Sequence, residues 1–173
     1  MTHRLLILGA GIYGLVAREI AEQTQLFSDI AFVDDGASVA PDGSRIVGTT
    51  DDLSTLAEQY GHAVVAIGRP EVRLRCIEQL TEAGIEVISL ISPRAYVSAS
   101  ATLGCGCIVE PMAVIHARAS LGRGVLVSAG AVVNHGARLE DGVHVDCGAV
   151  IDGFVTVEER TKVPSGTAVH PSV

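Results

Sequence analysis

Large rings are scarce in this chain, which has three Phe, three Tyr and no Trp. A core without them must be filled by Val, Ile, Leu and Ala, which suits thin, repetitive layers better than a bulky globule. Cations are scarce too. Twelve Lys and Arg against twenty Asp and Glu leave a formal net charge of −8, so the chain carries no basic footprint for nucleic acid, and anionic lipid surfaces are disfavoured for the same reason. The four cysteines, Cys76, Cys105, Cys107 and Cys147, do not form the paired C-x-x-C spacing of a zinc site. No run of 18 or more apolar residues occurs, so no membrane span is expected. The first residues lack the basic lead, apolar stretch and cleavage site of a secretory signal. These absences predict a cytoplasmic protein with reduced thiols. What is present is aliphatic: 48% of the 173 residues are hydrophobic and only 18% charged, the balance of a folded chain of one large domain or two small ones.

The first half alternates short apolar runs with helical patterns. Leu5 to Leu8 reads as a buried strand, followed by a glycine-rich turn and a helix to about Gln23. Ile30 to Val33 and Ala63 to Ile67 read as further strands, and Val87 to Leu90 as a fourth. Asp51 or Asp52 can cap a helix running to about Tyr60, and Glu71 to Ala83 is helical with Gly84 at its C-terminus. This β-α-β order predicts a Rossmann-like α/β domain over residues 1–90, with helices packed on a parallel sheet.

At residue 91 the helical patterns stop and a period of six begins. Every sixth residue from Ile91 to Val169 is Val, Ile or Leu. A small or β-branched residue lies two places before each from Val97 onward, from Ala95 to Thr167. Three short strands to a turn make a triangular coil of eighteen residues. Each aliphatic side chain points inward and stacks on its equivalents about 4.8 Å above and below, while the small residue fits the corner. Residues 91–173 are therefore expected to form a parallel β-helix.

The run Gly9-Ala10-Gly11-Ile12-Tyr13-Gly14 is a Gly-x-Gly-x-x-Gly turn between a strand and a helix. Its glycines let backbone amides approach a phosphate, and the helix N-terminus favours negative charge. Asp34 lies at the end of the second strand, where an acid can accept hydrogen bonds from a ribose. By this fingerprint alone NAD is the obvious ligand, but a unit of about 90 residues has no second mononucleotide half.

Hexapeptide β-helices of this kind resemble a superfamily dominated by acetyl-CoA-dependent acyltransferases, and the resemblance implies a left-handed coil. The same superfamily contains zinc enzymes and scaffolds. His116, His135 and His144 are the candidate zinc ligands here, but no third His completes one prism face, and no metal is expected. The order of a small nucleotide-binding unit and then a hexapeptide helix is more specific. With Phe32-Val33-Asp34-Asp35, Ala66-Ile67-Gly68-Arg69 with Arg73 beyond, Ser92-Pro93 and Val133-Asn134-His135, the chain resembles the bacterial sugar acyltransferases, which include sialic acid O-acetyltransferases and UDP-4-amino-sugar N-acetyltransferases. The resemblance implies that His135 is the general base that deprotonates the sugar amine or hydroxyl. It further implies that His144 contacts acetyl-CoA and that the Gly153 amide holds the thioester oxygen. It places a UDP-sugar near Gly9, Gly11, Gly14, Asp34, Asp35 and Gly68, and it implies a homotrimer with sites between prisms.

Two departures accompany the resemblance. The family follows its catalytic His with Asp or Glu, which orients the ring, and here Gly136 stands in that place, leaving Glu110, Glu140, Asp141 or a neighbouring subunit to substitute. The repeats also reach Val173 after about four and a half coils, where the family usually adds further coils that shape the CoA groove. The alternative expectation is thus a non-catalytic sugar-nucleotide-binding protein of the same fold. A structural trimer is the third.

Overall fold

The change of period at residue 91 is a change of architecture in the computed structural model, which describes residues 3–171. The chain divides into two compact units, one ending at Leu90 and the other beginning at Ile91.

The first unit is a five-stranded parallel sheet in the order β3-β2-β1-β4-β5, formed by β1 (His3–Leu8), β2 (Phe27–Val33), β3 (Ile46–Gly48), β4 (His62–Val65) and β5 (Glu86–Val87). Helices α1 (Ile12–Thr24) and α3 (Pro70–Glu82) connect its strands, and α2 (Leu53–Leu56) is a short turn of helix between β3 and β4. The central strand reads Leu5-Leu6-Ile7-Leu8 and is buried on both faces, as a parallel strand covered by helices must be. Leu6, Leu8, Ala31, Val33, Ala63 and Val65 pack against Leu74, Ile77 and Leu80 of α3.

Two expectations are corrected, and one strand is new. The helix expected to run to Tyr60 stops at Leu56; the 3-10 turn Thr50–Asp52 that leads into it opens in a capping box in which Thr49 and Asp52 satisfy each other's backbone amides. Strand β3 was not foreseen, because Ile46–Gly48 is three residues long and only half-buried at the sheet edge. The expected strand Val87–Leu90 is two strands: Glu86–Val87 pairs with β4, whereas Leu90–Ile91, β6, joins the next sheet system.

Fourteen two-residue strands, from β6 (Leu90–Ile91) to β19 (Ala168–Val169), recur every six residues among the described residues. They stack into three parallel sheets of five, four and five strands, a left-handed parallel β-helix. Partners lie eighteen residues apart, as in Val114↔Val132 and Val132↔Val150, so each coil satisfies the backbone groups of the next. The inward column Val97, Ile115, Val133, Ile151, Val169 and its two counterparts fill the prism with Ala113, Ala131, Ala137 and Ala149 at the corners.

The corners have a backbone requirement of their own. From Gly106 to Gly166 every sixth residue has positive φ, and the position is held by glycine except at Met112, Arg118, Phe154 and Arg160. A side chain there costs roughly 1–2 kcal/mol, which explains why glycine predominates.

Candidate active site

In the first unit the carboxyl ends of the strands surround a cleft of about 420 Å³ lined by Gly9, Asp34, Asp35, Thr50, Arg69, Arg75 and Cys76 among others. The glycine turn is shaped by close approach. A Cβ on Gly9, at φ +101°, would lie 2.8 Å from the Ala66 carbonyl oxygen, and one on Gly14 would lie 2.1 Å from that of Gly9. Gly11 and Gly68 face open space instead. Gly11 is the N-cap of α1 with no side-chain cap, and no acid occupies the first turn, so the positive end of the helix is left for an anion.

The structure gives Asp34 a task that the sequence did not disclose. Its carboxylate accepts from the amides of Ala10 at 2.8 Å and of Gly36 and Ala37 at 2.9 Å, tying the end of β2 to the glycine turn. Burial pushes its pKa up, but these three donors outweigh burial and hold it below the ordinary carboxylate range. Asp35 accepts from the Thr50 amide at 2.7 Å and hydroxyl at 3.0 Å. Arg73, fully buried, donates to the carbonyls of Ile67 and Gly68 at 2.7 and 2.9 Å and fixes the loop that carries Arg69. Cys76 is also buried, which raises its thiol pKa.

In the β-helix, His135 follows β13 (Val132–Val133) at an exposed corner. Gly153, one coil on, lies directly against it: a Cβ there would be 3.0 Å from both Cε1 and Nε2 of the imidazole. The Phe154 amide donates to the His135 carbonyl at 3.2 Å, and the Gly153 amide makes no hydrogen bond among the described residues. His144 opens β15 (His144–Val145), in a different sheet from β13. Its Nε2 is 3.1 Å from the Ser128 hydroxyl. One prism therefore brings His135 and Gly153 together and puts His144 on another face.

None of the carboxylates considered as orienters is bonded to His135. Glu110 accepts from the Ala129 amide at 3.1 Å, Asp141 pairs with Arg123 at 2.8 Å, and Glu140 lies 3.9 Å from Arg138. Among the described residues no group of three or more His, Cys, Asp or Glu is placed to hold a metal ion, and no helix is long and apolar enough to cross a membrane.

Residues 4–80 match the PglD N-terminal domain family. The acetyltransferase domain of PglB from Neisseria gonorrhoeae, solved in complex with acetyl coenzyme A, is 32% identical over 97% of this chain and 82% of that one, with a TM-score of 0.92. The chain belongs to the bacterial sugar acyltransferase family. A histidine-to-alanine variant of GDP-perosamine N-acetyl transferase from Caulobacter crescentus, in complex with CoA and GDP-perosamine, is 26% identical over 98% of this chain and 90% of that one, with a TM-score of 0.86. No curated protein gave a significant match. For this acyltransferase, sequence reasoning passed over three features of the site. Arg75 was lost among the helix cations, Thr50 opens the 3-10 turn Thr50–Asp52 where only a helix cap was expected, and Phe154 reads as one stray aromatic in a repeat. The signal for Phe154 was its place on the six-residue glycine column, which the φ angles make plain.

Proposed function

We propose that the protein is an acetyl-CoA-dependent acetyltransferase acting on a nucleotide-linked amino sugar, with UDP as the nucleotide. The observation that carries this reading is the juxtaposition of an exposed imidazole with an unpaired amide: His135 packs on Gly153, whose N–H makes no hydrogen bond among the described residues. A neutral imidazole at the acceptor amine removes its proton as the nitrogen attacks the thioester carbonyl. The Gly153 amide then meets the oxygen on which negative charge develops. The C–S bond breaks, the sulfur takes the proton from the imidazolium so that CoA leaves as the thiol and the base is restored, and the acetyl group stays on the sugar nitrogen.

The first unit supplies the substrate cleft of this reading. Arg69 and Arg75 line it and pair with no carboxylate among the described residues, so both guanidinium groups are available to a diphosphate. Gly11 and Gly68 leave the backbone accessible, Gly9 and Gly14 set the turn by close packing, and Asp34 and Asp35 hold the rim. Asp34 acts chiefly by fixing the turn.

A homotrimer completes the reading. His135 and His144 do not share a face of one prism, so a second prism must bring its own His144 to the CoA side. The outward residues Val114, Val132 and Val150 form a half-buried apolar column on one face, suited to burial between prisms. Light scattering is expected to give three chains per particle, and a monomer at working concentration would contradict the shared site. The function itself is tested with acetyl-CoA and a panel of UDP- and GDP-linked 4-amino sugars, reading thiol release. Release with a UDP-linked acceptor supports the proposal. Release only with a GDP-linked one overturns the choice of nucleotide, and binding of the sugar nucleotide without release selects a non-catalytic protein.

A further inference from the structure

Phe154 is out of place by every local rule. It is 75% exposed, and it stands at φ +62°, where a side chain other than glycine, Asn or Asp is costly. Its ring meets the His135 imidazole edge to face, with centroids 5.2 Å apart and planes at 86°. One coil back, Gly136 is at φ +67°, and a Cβ there would lie 2.7 Å from Cδ1 and Cε1 of the same ring. Gly136 thus provides the space that the Phe154 ring occupies. On the Gly153 side the imidazole lies against backbone, where a Cβ would come within 3.0 Å of its Cε1 and Nε2. No hydrogen bond or ion pair from a described residue reaches either ring nitrogen.

We infer that Phe154 is the positioning residue for His135: its ring, seated over Gly136, fixes the imidazole by packing rather than by a carboxylate hydrogen bond. An edge-to-face contact restricts the plane of the imidazole and leaves both nitrogens free, one to take the acceptor proton and one for water. Positions 136 and 154 are mutually exclusive supports. A side chain at 136 needs the volume of the Phe154 ring, so this chain holds its base from one coil above instead of from the adjacent residue.

The inference rests on His135 being the general base, and the experiment separates the two ideas. His135→Ala, Phe154→Gly, Phe154→Tyr and the double variant Gly136→Asp/Phe154→Gly are compared by thiol release under saturating acetyl-CoA and amino-sugar nucleotide, with thermal melts alongside. His135→Ala should abolish turnover; if it does not, the reading of the base fails and this inference with it. Given that loss, Phe154→Gly should lower kcat about ten- to a hundredfold, the effect of a misplaced reacting group. Its KM values should be unchanged and its Tm no lower than the parent's, because glycine suits the positive φ. Phe154→Tyr should keep the parent kcat, and the double variant should regain part of the loss by placing a carboxylate beside the imidazole. A parent-like kcat in Phe154→Gly, or a loss carried entirely by KM or by a lower Tm, overturns the inference.

Discussion

Removing one leucine from the middle of the prism measures whether the aliphatic columns hold the β-helix together. Leu139 is 1% exposed and pairs with Leu121 and Val157 in the coils on either side. Leu139→Ala removes three carbons, about 2.5 kcal/mol at roughly 0.8 kcal/mol per buried carbon. An unfilled void of roughly 60 Å³ adds about 1.5 kcal/mol at some 24 cal/mol per Å³. The coil is poorly able to collapse into that void, because the Leu139 carbonyl accepts from Gly122 at 2.8 Å and the next amide, Glu140, donates to Val157 at 3.0 Å. The expected loss is therefore about 4 kcal/mol. Leu103, in the same sheet but on its terminal strand and only half-buried, should cost about 1–1.5 kcal/mol by the same arithmetic. Urea denaturation at one fixed protein concentration reads both, so that mass action from assembly is the same in each. Equal costs, or a Leu139→Ala loss below about 1 kcal/mol, would refute an inward column with a cost graded from end to centre.

Arg73→Leu leaves the Ile67 and Gly68 carbonyls without their charged donor. It should cost about 2–3 kcal/mol in the same assay and raise the KM for the sugar nucleotide through loss of the Arg69 loop; an unchanged KM would dissociate that loop from the cleft. Asp146 is held down to about 2 by the Cys147 amide and by Lys162 at 3.0 Å. A carboxyl with a depressed folded value adds stability above its unfolded pKa of 3.8 and loses it as pH falls through the folded one. Acid titration of the parent against Asp146→Asn should therefore show part of the parent's loss between about pH 4 and pH 2 missing in the variant, and parallel curves would contradict it.

Much of this architecture was legible because a β-helix repeats its own rule. A period of six with an aliphatic residue in each repeat fixes which side chains point inward, and all of the described columns follow it. The edges were less legible. Ile46–Gly48 is too short and too exposed to show alternation, and the apolar run Val87–Leu90 conceals a change of sheet because hydrophobicity does not say which neighbour a strand pairs with. At the site, the fingerprint drew attention to its glycines and to Asp34, yet two of those glycines serve packing, and the carboxylate is engaged by three backbone amides. Linear spacing put His135 one coil from Gly153, and the structure has them in contact. The ring over Gly136 depended on a φ angle and a rotamer, which no spacing encodes.

The central claim is that this chain moves an acetyl group from CoA to a sugar amine with His135 as the base. Mass spectrometry of the sugar nucleotide after incubation with acetyl-CoA tests it most directly, with the parent and His135→Ala run side by side. The account predicts an acetylated sugar nucleotide with the parent and none above background with the variant. Equal acetylation by both proteins would contradict it.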